Sequence, residues 1–416
     1  MNDKTANTGL PGVEDLLALA SSQAGGLTDF GGGNYREALA VLLDALAREA
    51  NLSAQGAQLL QGKLVAQLVN RLVIADYCRR HPEILREQVD DPLVIVGLPR
   101  TGTTLLQRLL ATDRRFHSAA WWETRYPAPL PGEDVDDPSR RIALAKAEVD
   151  QMIHFIPDIL AIHPLDAMQA DEEFMLMEHA FLCAMDSYVN VPTYTAWLRE
   201  QDQTPVYAYL KTMLQFLQWQ KRRRGEPAAQ RWVLKTPQHL HALDALLQVF
   251  PGAQVILTHR DPTQTIPSMA SMAYTLWKLY ADAPDPLTVG RQWSGQMRSA
   301  MEAAMAARDR LPAGRFLDVR FEDTVSQPLG VVESVYRFAG LPLTDAARAG
   351  MQAWMDANQR GQRAAHAYTL AQFGLSHAQL ERDFARYRQR HVVTAAAADQ
   401  NQNSALRDAA KETTSC

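Results

Sequence analysis

Cysteine is nearly absent: the 416-residue chain has 3, namely Cys78, Cys183 and Cys416. They are too few and too scattered for a disulfide framework or a zinc cluster, and the simplest compartment is a reducing cytoplasm. No apolar stretch approaches the ~18 residues of a membrane helix. Residues 1–25 lack a basic start followed by an apolar run, so no secretory leader is expected. Charge of one sign is also lacking. Lys plus Arg number 42 and Asp plus Glu 47, giving 42 − 47 = −5. That excludes the broad basic field of a nucleic-acid binder and leaves room for a local anion site. The rest is ordinary: 47% hydrophobic and 21% charged residues, with 22 Gly and 22 Pro, exclude a disordered or collagen-like chain.

Along the chain, residues 1–33 read as a Gly- and Ser-containing lead-in. Leucines then recur at helical spacing (Leu39, Leu42, Leu43, Leu46; Leu60, Leu64, Leu68, Leu72), so residues 1–90 form a mainly helical packing layer. The texture changes at Asp91-Pro92. Leu93-Val94-Ile95-Val96 suits a strand buried on both faces. Arg231-Trp232-Val233-Leu234, Gln254 to Thr258 and Arg315 to Val319 repeat the strand pattern, the first two of them with a helical stretch after it. Strands alternating with helices predict an α/β fold with a P-loop-like, doubly wound, mostly parallel sheet over residues 91–393. Residues 131–139 form an acidic loop. Residues 140–225 form a mostly helical, Met- and aromatic-rich insertion, and residues 394–416 a disordered tail. Right-handed crossovers put the loops after the strands on one edge.

Four segments on that edge carry chemistry. Gly97-Leu98-Pro99-Arg100-Thr101-Gly102-Thr103-Thr104 runs from a strand end into a helix start. Backbone N–H groups and the helix dipole favour an anion there, and Arg100, Thr101, Thr103 and Thr104 add donors. The loop is not a Walker A motif, because Thr103 stands where Lys belongs. It reads as a phosphate cradle that works without a metal. Arg260, in His259-Arg260-Asp261-Pro262, comes directly after the third strand, with Ser268 one to two turns into the next helix. Together they suit a second phosphate, while an Arg260–Asp261 ion pair is the structural alternative. Lys235, in Leu234-Lys235-Thr236-Pro237, comes after the second strand, either to neutralise a leaving phosphate or as a surface lysine. Glu123, in Trp121-Trp122-Glu123-Thr124-Arg125, is either a general base in an apolar pocket or a carboxylate paired with Arg125.

Together these segments resemble the sulfotransferases that use 3′-phosphoadenosine-5′-phosphosulfate (PAPS). The match is to the large bacterial family whose loop reads Gly-Leu-Pro-Arg-Thr-Gly-Thr-Thr, and also to the protein-tyrosine sulfotransferases. It covers residues 93–387. The resemblance implies that residues 100–104 hold the 5′-phosphosulfate and that Arg260 and Ser268 bind the 3′-phosphate. It also implies that Lys235 sits near the bridging oxygen and that Glu123 is the general base. Transfer to a hydroxyl would then give a sulfate ester and adenosine 3′,5′-bisphosphate (PAP). Small-molecule members typically have Lys-Thr-His with that His as base; here Pro237 takes its place, and His239 and His241 stand nearby as alternatives. Arg363, in Gly361-Gln362-Arg363, resembles a basic residue closing over the 3′-phosphate.

Among the remaining signals, Lys221-Arg222-Arg223-Arg224 reads as a solvated loop face. Asp171-Glu172-Glu173 and His179 line either an acceptor pocket or the helical core. His154 and His163 have no ligand-like spacing, and no metal is assigned. The expected partner is a small apolar alcohol or phenol. A P-loop kinase-like phosphotransferase and a non-catalytic nucleotide-binding protein are the rival readings.

Overall fold

The computed structural model describes residues 9–156, 159–358 and 368–393. Arg363 and the tail after residue 393 lie outside the described residues. Five strands, β1 (Leu93–Gly97), β2 (Phe116–His117), β3 (Arg231–Lys235), β4 (Gln254–His259) and β5 (Phe316–Arg320), form one sheet in the order β2-β3-β1-β4-β5. Every pairing is parallel. Four strands fall where the apolar runs predict them. The fifth, β2, is two residues long and pairs with the start of β3 at Arg231 and Trp232, which is too short for any periodicity to announce.

The helices run in chain order as α1 (Val13–Gln23), α2 (Tyr35–Glu49), α3 (Ala54–Arg80), α4 (Thr103–Leu110), α5 (Trp121–Arg125), α6 (Ser139–Phe155), α7 (Ile159–Ile162) and α8 (Phe174–Met177). They continue as α9 (Pro192–Arg199), α10 (Thr204–Arg223), α11 (Leu243–Val249), α12 (Pro262–Tyr280), α13 (Pro286–Arg310), α14 (Phe321–Ser326), α15 (Pro328–Ala339), α16 (Asp345–Ala357), α17 (His377–Asp383) and α18 (Ala385–Arg388).

Strand alternation divides the core. Leu93, Ile95, Val233 and Ile256 point to one face, against Leu106, Leu109 and Leu110 of α4 and the α15 valines. Val96, Val255 and Leu257 point to the other, against α12, α13 and the C-terminal segment. Val94, Trp232 and Leu234 share a further core with α2, α3 and α10. Burial on both faces is what a sheet with uniformly apolar strands requires.

The N-terminal helices are pinned to this core by a buried arginine. Arg71 donates to the carbonyls of Phe30 (3.0 Å), Gly32 (2.7 Å) and His179 (2.9 Å). The insertion is less helical than its composition predicts: from His163 to Val191 the backbone is mostly irregular, with α8 as a single turn. Within it, residues 170–173 are drawn out along the sheet edge by hydrogen bonds to Arg108, Gln107 and Lys235.

Asp186 is buried against α12, where its backbone carbonyl accepts from the Trp277 indole N–H at 2.7 Å, with Gln296 of α13 alongside. Among the described residues neither of its carboxylate oxygens has a hydrogen-bond partner. Burial pushes its carboxyl up to about 6. The folded chain therefore keeps a proton that the unfolded chain releases near pH ~4. The cost of burying the ion is absent below pH ~4, grows between pH ~4 and ~6, and is full above. Asp186→Asn is expected to raise stability at pH 8 relative to pH 4.5 by about 2 kcal/mol. Thermal midpoints at the two pH values check this; an equal effect at both would contradict it.

Candidate active site

The cradle forms where β1 stops. Gly97 passes so close to β4 that a Cβ would collide with Thr258 Oγ1 and the Thr258 carbonyl. Beyond it the loop turns through two left-handed residues, Arg100 at φ 72° and Gly102 at φ 87°. Gly102 has no Cβ to strain, while a left-handed arginine is uncommon and stores strain in the loop. Thr101 is fully buried, and its hydroxyl lies 2.7 Å from the Leu98 carbonyl and 2.6 Å from Thr258 Oγ1. It serves as the loop's anchor to β4, so what it offers a ligand is its backbone N–H. Thr103 and Thr104 open α4 and are half-buried. Their N–H groups belong to the helix turn that lacks internal acceptors.

Arg260 reaches this loop. Its Nη1 donates to the Arg100 carbonyl at 2.8 Å, and its guanidinium lies over the Phe321 ring, 3.8 Å from the centroid. It does not pair with Asp261, whose carboxylate caps α12 through Thr263 N–H (3.0 Å) and meets Arg388 (3.1 Å). Ser268 lies half-buried in the second turn of α12.

Lys235 closes β3 beside the cradle and is fully buried, so it is not a surface lysine. Its Nζ donates to Glu172 Oε1 at 2.8 Å, and its backbone N–H donates to Glu173 Oε2 at 2.7 Å. Glu173 also meets His239 Nε2 at 2.7 Å, while His239 Nδ1 lies 3.0 Å from the Tyr207 hydroxyl. With both ring nitrogens hydrogen-bonded, His239 orients Glu173 and leaves neither nitrogen without a partner. His241 is pushed down to about 4 by burial, with Arg199 adding to the effect. Asp171 accepts from His163 Nε2 at 2.9 Å. Burial works to raise its carboxyl, but the imidazole outweighs it and holds Asp171 below the usual carboxylate range. The three acids therefore cluster at the end of β3. Of the two glutamates, Glu172 keeps 28% of its side-chain surface and Glu173 only 2%.

Glu123 is differently placed. It is buried, accepts from the Ala120 N–H at 3.0 Å, and is ion-paired with Lys221 (2.6 Å) and Arg224 (3.3 Å). Arg125 pairs instead with Glu148 at 2.8 Å. The ends of the basic run are thus not a solvated face: Lys221 and Arg224 turn inward onto Glu123, and only Arg222 and Arg223 point out. Glu123 caps α5 and ties it to α10, which leaves no unpaired face toward a cleft. His179 is also structural: Nδ1 faces the Met175 carbonyl at 3.0 Å, Nε2 faces Asn70 at 3.0 Å, and burial pushes the ring down to about 3.

The sequence brought Glu172 forward only as an alternative between pocket and core. Three consecutive acids in an apolar, Met-rich segment were the available signal. Glu123→Gln should strand Lys221 and Arg224 as buried, under-compensated cations and cost about 3–5 kcal/mol. Chemical denaturation checks this; an unchanged midpoint with loss of turnover would return Glu123 to a chemical role.

Comparison with known proteins agrees with this architecture. The model of a family described as "Sulfotransferase family" matches residues 92–345. The omega-hydroxy-beta-dihydromenaquinone-9 sulfotransferases Stf3 of Mycobacterium bovis and Mycobacterium tuberculosis are 27% identical over 267 residues, 61% of this chain and 63% of theirs. The chain thus spans under two thirds of the length of these curated relatives. Sulfotransferase STF1 of Mycobacterium tuberculosis superposes with a TM-score of 0.79 at 32% identity, covering 91% of this chain and 100% of that one. STF9 of Mycobacterium avium superposes at 0.81 with 28% identity, covering 94% and 98%. With the family model spanning more than half its length and a relative above 30% identity along nearly all of it, the chain belongs to the sulfotransferase family.

Proposed function

We propose that this chain moves the sulfuryl group of PAPS to the hydroxyl of an apolar, lipid-like alcohol or phenol and releases PAP. One observation carries the reading: the sheet order β3-β1-β4 sets Lys235, the cradle and Arg260 side by side at one edge, with Arg260 touching the cradle. Arg100 and the N–H groups of residues 101–104 suit the 5′ end of the donor, and Arg260 with Ser268 suits the 3′-phosphate. PAPS, when bound, supplies a sulfuryl group attached to a phosphate leaving group. The buried ammonium of Lys235 is fit to balance the charge that grows on that leaving oxygen.

For the base, the geometry favours Glu172 over Glu123. Glu172 is partly exposed and bonded to Lys235. An anionic donor competes for that ammonium and leaves Glu172 beside the site without its cation. Glu172 then takes the acceptor proton while the acceptor oxygen forms its bond to sulfur and the bond between sulfur and the phosphate oxygen breaks. The electron pair of the broken bond leaves with PAP.

A lipid-like acceptor is supported by two features. The matched Stf3 relatives carry a hydroxylated menaquinone in their names. Beside the acid cluster, Trp121, Trp122, Met152, Leu165 and Met175 pack together, with Phe155 left 75% exposed and Met168 47%.

The test is a thermal-shift titration. PAP at ~100 times its dissociation constant should stabilise the fold by about 2.7 kcal/mol, and Arg260→Ala should cut the shift to the one AMP gives. Lys235→Met is expected to keep PAP binding and lower kcat by about 10²–10³, and Glu172→Gln to lower it by about 10²–10⁴. Stabilisation by ATP with Mg²⁺ but not by PAP would contradict the reading and favour phosphoryl transfer.

A further inference from the structure

The turn His259-Arg260-Asp261 between β4 and α12 is gripped by the end of the described chain. Tyr387, buried in α18, sets its hydroxyl 3.0 Å from His259 Nδ1, and the backbone N–H of Arg260 faces the same hydroxyl. Arg388 meets both carboxylate oxygens of Asp261, at 3.2, 3.2 and 3.1 Å. His391 stacks its ring on His259, with centroids 4.2 Å apart and planes 4° from parallel. From the other side His259 Nε2 lies 2.8 Å from Asp318 Oδ1, and Asp318 is itself held by Arg308 at 2.6 Å.

His259, Asp318 and His391 bring ligand atoms within 4.8 Å of one another, yet this is not the geometry of a metal site. Ring lone pairs lie in the ring planes, so parallel stacked imidazoles do not converge on one ion at ~2.0–2.1 Å. Arg308 also already holds the carboxylate. The cluster instead fixes His259, and with it the backbone from which Arg260 projects.

We propose that residues 387–391 are a positioning clamp for the donor's 3′-phosphate site. Tyr387, Arg388 and His391 fix the turn, so that the Arg260 guanidinium stays over Phe321 and against the Arg100 carbonyl. Arg260 is half-buried on a long, flexible stem. A bidentate grip on a phosphate depends on the fork being held in place before the ligand arrives. Tyr387, Arg388 and His391 act through Arg260 and are positioning residues. The inference rests on the proposed assignment of Arg260 to the 3′-phosphate.

The experiment measures calorimetric affinities of the full chain for PAP and for AMP, which lacks the 3′-phosphate. Wild type should prefer PAP, and Arg260→Ala should abolish the preference. Tyr387→Phe and Arg388→Gln should each reduce the preference at least about 3-fold with AMP affinity unchanged, and Arg388→Lys should restore most of it. In the Arg260→Ala background the clamp variants should add nothing. Equal losses of PAP and AMP affinity would indicate a merely structural role, and an unchanged preference would indicate no role; either overturns the clamp while leaving the Arg260 assignment intact. No preference for PAP in wild type would overturn the 3′-phosphate assignment itself and the clamp with it.

Discussion

A buried ammonium at the end of a central strand organises much of this molecule. Lys235 has no access to solvent, and an unpaired charge there would be prohibitively costly. Glu172 supplies the counter-charge, and Glu173 takes the backbone N–H of the same residue. Those two bonds pull residues 170–173 out of helical geometry and across the strand ends. His239, Tyr207, His163 and Gln107 complete the hydrogen bonding around them. The acid cluster is thus built around the lysine proposed to meet the donor's leaving group.

Two glutamates, one buried and one half-buried, show how much the surroundings decide. Glu123 and Glu172 each face a lysine within 3 Å, at 2.6 and 2.8 Å. Glu123 has a second cation, a backbone donor and almost no surface, so its bonds hold two helices together. Glu172 has one cation that an incoming anion can claim, and an open side. The first arrangement contributes to stability; the second suits the proton transfer proposed for it.

Much of the edge proposed for the donor was legible in the sequence as a matter of placement. β1 is an apolar run and β4 has an apolar centre, Val255-Ile256-Leu257, and the loops at the carboxyl ends of parallel strands share one edge. Position alone therefore placed the cradle, Lys235 and Arg260 together. The surroundings of Glu123 and Glu172 were not legible in this way. Whether Glu123 meets Arg125 or Lys221 is decided by how α10 packs on α5, and no local pattern encodes that. The same holds for the basic run at the end of α10, half of which turns inward. β2 escaped because two residues carry no period, and the clamp escaped because Tyr387 and Arg388 meet His259 and Asp261 only after the chain has wound around the sheet.

The proposed donor edge and the acid cluster would together move a sulfuryl group, and label transfer tests that proposal most directly. The chain is incubated with PAPS carrying ³⁵S and a panel of apolar alcohols and phenols, with a chelator present, and the products are separated. The account predicts label in an ester of at least one acceptor, with PAP formed in equal amount. Label that stays on the donor with every acceptor, in a chain that binds PAP, would contradict it and leave a nucleotide-binding protein without transfer.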